Sequence, residues 1–170
     1  MLRLPPLRCY LGAEATARIG FNHMSEATFS TPVLSARTGI HLQTLKRLAA
    51  QRAIIGSDPV ANGQAHAFTE EAVLQLEIAK RLRAAAGVTE GRYGRADWTP
   101  SCAAAERMTR QALAEAGSVT GLLLRLQSGE PVWTSTAVAP GMVLTVNASR
   151  VAAEYWQAER GQAAAAASAA

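Results

Sequence analysis

Between Ser30 and Arg83 the apolar positions fall into three helical stripes. Val33, Leu34 and Ala36 give the first its apolar side, Leu45, Leu48 and Ala49 form the second, and Val73, Leu74, Ile78 and Leu82 form the third. Ser30 or Thr31 is suited to cap the first helix, because either hydroxyl accepts from backbone N–H groups that lack a helical partner. Pro32 then takes the first helical position, where its missing N–H costs nothing. Thr38-Gly39-Ile40 follows, and Gly39 can adopt the left-handed conformation that lets a chain leave one helix and enter the next within a few residues. Ile40 is placed to plug the core between them. The second helix is predicted from His41 or Leu42 to Arg52, leaving Gln43, Thr44, Lys46, Arg47 and Arg52 facing outward.

After that helix, Ala53-Ile54-Ile55 is a short β-prone run. Gly56 to Gln64 carries Pro59 and Asn62-Gly63 as turn signals, and Ala67-Phe68 can return as the partner strand. Thr69 is expected to cap a third helix, with Glu70 and Glu71 in its first turn and Lys80, Arg81 and Arg83 near its end, each sign at the pole that favours it. Helix, turn, basic helix, small hairpin, helix is the order of a winged helix-turn-helix that docks on DNA.

The outward set on the second helix suits that task. Gln pairs bidentately with adenine, Arg and Lys with guanine or phosphate, and Thr with a base edge or a phosphate oxygen. The plainer reading of the same charges is a solvated helix face.

Gly39-Ile40, Thr44-Leu45-Lys46, Ile54-Ile55 and then His66-Ala67-Phe68-Thr69-Glu70-Glu71-Ala72-Val73 together resemble the DNA-binding domain of MerR-type regulators. The pattern of that family is a Gly-Val turn, Thr-Leu-Arg-Tyr-Tyr-Glu, Gly-Leu-Leu, and Arg-x-Tyr-Ser/Thr before the next helix. The resemblance spans about residues 30–86. Lys46 stands where the family has its Arg, Arg47 and Leu48 replace the paired aromatics, Ala49 the Glu, Ala53 the Gly before the wing, and His66 the wing Arg. It implies that Lys46, Arg47 and His66 lie at the DNA backbone and groove.

The chain beyond this domain departs from that family. Gly87 to Pro100 reads as a linker in which Arg92, Tyr93, Arg95 and Trp98 interleave basic and aromatic side chains, a pattern that can track a nucleic-acid backbone. The simpler alternative tucks Tyr93 and Trp98 against the neighbouring helix. Ser101 to Ala116 is predicted as a fourth helix, capped by Ser101 or Thr99 and stopped at Gly117. Val119 to Gln127, Val132 to Val138 and Met142 to Val146 are β-prone and punctuated by turns, which predicts a three-stranded antiparallel meander. Asn147 or Ser149 then caps a last helix bearing Val151, Ala152, Tyr155 and Trp156.

The expected fold class is therefore α+β: a disordered extension over 1–28, the winged helix-turn-helix over 29–86, a linker over 87–100, a small helix-and-sheet unit over 101–160, and an alanine-rich tail over 161–170.

Charge and chemistry narrow the function. The 170 residues carry a formal charge of +4 and the pI is about 9.6, which favours an anionic partner without specifying one. Arg3, Arg8 and Arg18 give the start a weak transit-like look, yet Pro5-Pro6 spoils an amphipathic helix. There is no transmembrane run, and the N-terminal segment is not a convincing secretory signal, so a cytoplasmic setting without membrane contact is expected. Met24 begins a sensible domain, which reads the residues before it as an upstream extension.

Cys9 and Cys102, with His23, His41 and His66, are scattered without ligand spacing, so no metal and no cofactor are proposed. No Ser/His/Asp order, paired catalytic carboxylates or phosphate loop is present, and the chain is read as a non-enzyme. Thr134, Thr136, Arg125 and Tyr155 are the polar groups available to an effector pocket in the C-terminal unit.

The reading is a sequence-specific double-stranded DNA-binding transcriptional regulator. It is expected as a homodimer, because one small recognition helix reads too few base pairs alone. Two alternatives stand beside it. One is a phage-type DNA-packaging factor similar to a terminase small subunit, with a protein partner on the C-terminal unit; the other is a MerR-like protein-interaction module.

Overall fold

The computed structural model describes residues 28–59, 66–87 and 97–155. The expectations for residues 1–27, for the Asn62-Gly63 turn, for Arg92, Tyr93 and Arg95, for Trp156 and for the alanine-rich tail lie outside the described residues. The fold is α+β. Its elements in order are β1 (Phe29–Ser30), α1 (Thr31–Thr38), α2 (Leu42–Ala50), β2 (Ser57–Pro59), β3 (His66–Phe68), α3 (Glu70–Ala85), α4 (Thr99–Ala116), α5 (Val119–Gln127), β4 (Trp133–Ala139) and β5 (Met142–Asn147). A last helix, α6, follows over 148–155.

The connection between α1 and α2 is held by its own side chains. Gly39 takes φ 70 and its N–H donates to the Ser35 carbonyl at 2.9 Å. The Ser35 hydroxyl donates to the Ile40 carbonyl at 2.7 Å, and Thr38 Oγ1 donates to the Leu34 carbonyl at 2.8 Å while accepting the Ile40 N–H at 3.3 Å. Leu34, Ile40, Leu45 and Leu48 are fully buried around this turn. Burial of each such side chain stabilises the fold by about 1.5–3 kcal/mol. The helix α2 ends two residues before the predicted Arg52, because Arg52 itself adopts the left-handed conformation at φ 54 and turns the chain away.

The predicted strand Ala53-Ile54-Ile55 is instead a turn, and the hairpin strand begins at Ser57. Their hydrogen bonding gives the reason. The Ala53 carbonyl and the Ile55 N–H are taken by the side chain of Gln75, with Nε2 donating to the first at 2.9 Å and Oε1 accepting from the second at 2.8 Å. Ile54 meanwhile is buried in the core. A backbone satisfied by a glutamine has nothing left to offer a partner strand. The hairpin pairs β2 with β3 antiparallel, Ser57 opposite Phe68 and Pro59 opposite His66, and β1 adds on the other side of β3 with Phe29 opposite Phe68.

At the base of this sheet Thr69 donates its N–H to the Gly56 carbonyl at 2.9 Å. Gly56 has φ 59, and a Cβ there would lie 1.9 Å from Thr69 Oγ1. The close approach therefore requires glycine.

Long, apolar α3 forms the spine. Val73, Leu76, Ile78 and Ala79 are buried, and α4 packs along it through Cys102, Ala105, Met108 and Ala112. The helix α4 starts at Thr99, two residues before predicted Ser101, because the Asp97 carboxylate accepts the Thr99 N–H at 3.0 Å. One buried hydrophobic cluster runs from Phe29 through α3 and α4 to Val151 and Ala152, so residues on both sides of the predicted linker share a core.

The first of the three expected strands of the C-terminal sheet is a helix. Val119–Gln127 forms α5, capped by the Ser118 hydroxyl, which accepts the Gly121 N–H at 3.0 Å. Its β-like opening Val-Thr-Gly has a steric origin: a Cβ on Gly121 would lie 2.0 Å from the Ala116 carbonyl oxygen, so glycine lets α5 fold back closely over the end of α4. The following Leu-Leu-Leu-Arg-Leu run contains good helix formers. The sheet is thus two-stranded, β4 antiparallel to β5 with Trp133 opposite Asn147 and Thr136 opposite Leu144. Asn147 Oδ1 then accepts the Arg150 N–H at 2.8 Å to start α6, and Ser149 Oγ accepts the Val132 N–H at 3.0 Å, fastening α6 to the strand entry.

Candidate nucleic-acid interface

The helix α2 has two faces of different chemistry. Thr44, Leu45, Leu48 and Ala49 point into the protein, while Gln43, Lys46 and Arg47 are exposed. Thr44 is a correction to the outward set: only 6% of its surface is accessible. The buried stripe is two residues wide at each turn, so it takes in position 44 beside Leu45. His41 Nδ1 accepts the Gln43 N–H at 3.3 Å and caps the helix where Gln43 emerges.

Among the described residues neither Lys46 nor Arg47 makes an ion pair, whereas Lys80, Arg81, Arg110, Arg125 and Arg150 each meet a glutamate. Lys46 and Arg47 thus stand as two cations on one exposed helix face.

Arg52 and His66 stand apart from that face and come together elsewhere. They line a groove of about 520 Å³ between the end of α2 and the base of the β2–β3 hairpin, which Gly56 and Asp58 also border. Arg52 is exposed, and its left-handed backbone directs the chain toward the hairpin. His66 is half-buried, its ring tilted against Phe68 at 6.2 Å between centroids, with Nδ1 buried and unpartnered.

The stretch just before α4 contributes Asp97, which the sequence pattern did not single out, and it tucks Trp98 against α3 as the simpler of the two sequence readings expects. Arg83, read from sequence as a helix-end charge, is buried: Nη1 donates to the Asp97 carbonyl at 2.9 Å and its guanidinium lies 4.3 Å over the Trp98 ring. The Asp97 carboxyl is held below its ordinary range first by the Thr99 backbone N–H, then by the Thr99 hydroxyl, with Arg47 and Arg83 adding positive potential. An acidic group thus sits within electrostatic reach of the exposed Arg47, at the edge of the α2 face. The one cue in the sequence was the Asp-Trp-Thr-Pro order, an acceptor two residues ahead of a helix start.

Cys102 is buried, and desolvation pushes its thiol up to about 12, which makes it a poor nucleophile and a poor metal ligand. Among the described residues no group of three or more His, Cys, Asp or Glu side chains gathers, and no helix is long and apolar enough to cross a membrane.

The polar groups suggested for an effector pocket turn to different partners. Arg125 faces Glu130 and the Glu115 carbonyl, Thr134 is buried, and Tyr155 accepts from Arg37 Nη1 at 2.6 Å. Arg37 also lies 4.5 Å over the Phe29 ring, which joins α6 to the N-terminal sheet.

Compared with known proteins, the chain matches no family model, no curated protein and no solved structure.

Proposed function

We propose that residues 29–87 are a winged helix-turn-helix that binds double-stranded DNA by sequence, with α2 in the major groove and the β2–β3 hairpin beside it as the wing. The protein acts as a dimeric transcriptional regulator. The observation that carries this reading is the division of α2: Leu45 and Leu48 fix the helix in the core, while Gln43, Lys46 and Arg47 project from the opposite face and neither cation makes an ion pair among the described residues. These side chains suit base edges and phosphates. A helix anchored so firmly presents them at low entropic cost. Arg52 and His66, at the hairpin base, are assigned to backbone contact rather than base reading.

Selection of bound fragments from a random duplex library tests it directly. Enrichment of a symmetric motif is expected, with affinity for the winner falling steeply as salt rises. Arg47→Ala then weakens the selected duplex by about 1–3 kcal/mol and relaxes sequence preference if Arg47 reads a base. Flat selection with no binding at moderate salt would overturn the proposal and favour a protein-binding role for the same face.

A further inference from the structure

Arg83 makes no ion pair with any of the described residues. Only 3% of its surface is accessible, yet no carboxylate among the described residues lies within ion-pair distance. Nη1 is used on the Asp97 carbonyl, whereas Nη2 is buried and has no hydrogen-bond partner. The Asp97 carboxylate interacts with Arg83 through space but does not bond to it, because that group is exposed and its Oδ1 accepts from Thr99. A guanidinium stays charged under all ordinary conditions. Withdrawn from water and left with an unused donor, it costs the fold free energy that a bound anion would return.

A groove of about 390 Å³ opens beside it, between the α1–α2 turn and the C-terminal end of α3. Arg83, Trp98, Lys80 and Ala84 line one side and the turn around Gly39 the other, with no acidic residue among them. Lys80, whose Nζ pairs with Glu77 at 3.0 Å, stands at the edge of the groove, and the Trp98 ring forms an apolar wall.

We infer that this groove is a binding site for a small free oxyanion, a carboxylate or phosphate group on a compact and partly apolar molecule, and that the anion completes the coordination of Arg83. The depth of Arg83 selects the source. A phosphate carried on a duplex can reach exposed Arg47, but a side chain this enclosed suits a ligand that enters by itself. The occupant would also touch the turn that positions α2.

Thermal unfolding with inorganic phosphate, and separately with acetate, at ionic strength held constant by sodium chloride, provides the test. No DNA is needed, so its outcome is independent of the DNA-binding proposal. Phosphate is expected to raise the Tm with the logarithm of its concentration above the dissociation constant, by roughly 5 °C at about ten times that constant. Ala84→Glu places a carboxylate at the groove on an exposed helix position and should abolish the rise without unfolding the protein. Lys80→Gln should weaken it several-fold.

A rise of equal size in Ala84→Glu, or no rise with either anion beyond that given by sodium chloride at the same ionic strength, overturns the inference. So does a result in which Ala84→Glu weakens duplex binding in phosphate-free buffer while free phosphate leaves the Tm unchanged, since the groove would then hold a backbone phosphate.

Discussion

Gln75 on α3 donates through Nε2 to the carbonyl of Cys102 on α4, 2.9 Å away, while the same amide is bonded to Ala53 and Ile55. A single fully buried glutamine thus joins the approach to the hairpin, the central helix and the start of α4. Gln75→Leu keeps the volume but strands the Ala53 carbonyl and the Ile55 N–H inside the protein, while the Cys102 carbonyl keeps its helical partner. The expected loss is roughly 3–5 kcal/mol, read as a lower urea midpoint, because each orphaned buried group costs about 1–3 kcal/mol. A midpoint unchanged from wild type would show that water satisfies those groups.

Two glycines with positive φ separate backbone strain from steric conflict. At Gly39 a Cβ meets nothing within 4 Å, so Gly39→Ala is expected to lose about 1 kcal/mol from conformation alone. At Gly56 the added Cβ would collide with Thr69, and Gly56→Ala should lose a further 1–3 kcal/mol or so by overpacking. Chemical denaturation of the pair gives the order, and equal losses would argue against a tight hairpin base.

Thr44 and Lys46 are two residues apart on α2 and predict opposite phenotypes. Thr44→Lys forces a charge into a buried position and should lower stability. Lys46→Ala should leave the Tm within a degree or so of wild type while weakening binding to all duplexes and flattening the salt dependence by about one charge. Melting curves and a salt series together distinguish them. A Lys46→Ala protein that binds DNA like wild type would remove this residue from the interface.

Cys102 predicts both reactivity and pH behaviour. In a Cys9→Ser background the folded protein should resist a thiol reagent that labels it in denaturant. Burial raises the thiol from 9.0 to about 12. Below pH 9 it is protonated whether the chain is folded or not, and its contribution is intact. Between pH 9 and about 12 only the unfolded chain ionises there, so stability falls as pH rises. Wild type should therefore lose about 1.4 kcal/mol per pH unit more than Cys102→Ala across that window. Parallel curves for the two proteins would mean that the thiol is solvated.

The helices were legible where local chemistry decided them. Pro32, Gly39 and Gly117 mark ends that the chain obeys, and the apolar spacing of α3 survives to its last turn. The misreadings share a physical cause, namely partners distant in sequence. Ile54-Ile55 looked like a strand because nothing local reveals that Gln75 will take their hydrogen bonds. Gly121 looked like a strand glycine because its real constraint is the Ala116 carbonyl across a helix turn. On the candidate site, Gln43, Lys46 and Arg47 followed from helical phase, whereas Thr44 fell inside because the buried stripe is wider than the leucines alone imply. Asp97 became visible only once α4 was placed against α3, whereas the packing of Trp98 against that neighbouring helix was one of the two readings its sequence offered.

That placement bears on how such a chain can change over time. A segment that ended at Gly87 would leave Leu76, Ala79 and the Gln75 amide facing solvent in place of α4. Transplanting the N-terminal helices onto a different C-terminal half would therefore demand a matching helix with a carbonyl where Cys102 supplies one. Exchange of either half alone would expose this shared core, so the joint resists such a transplant.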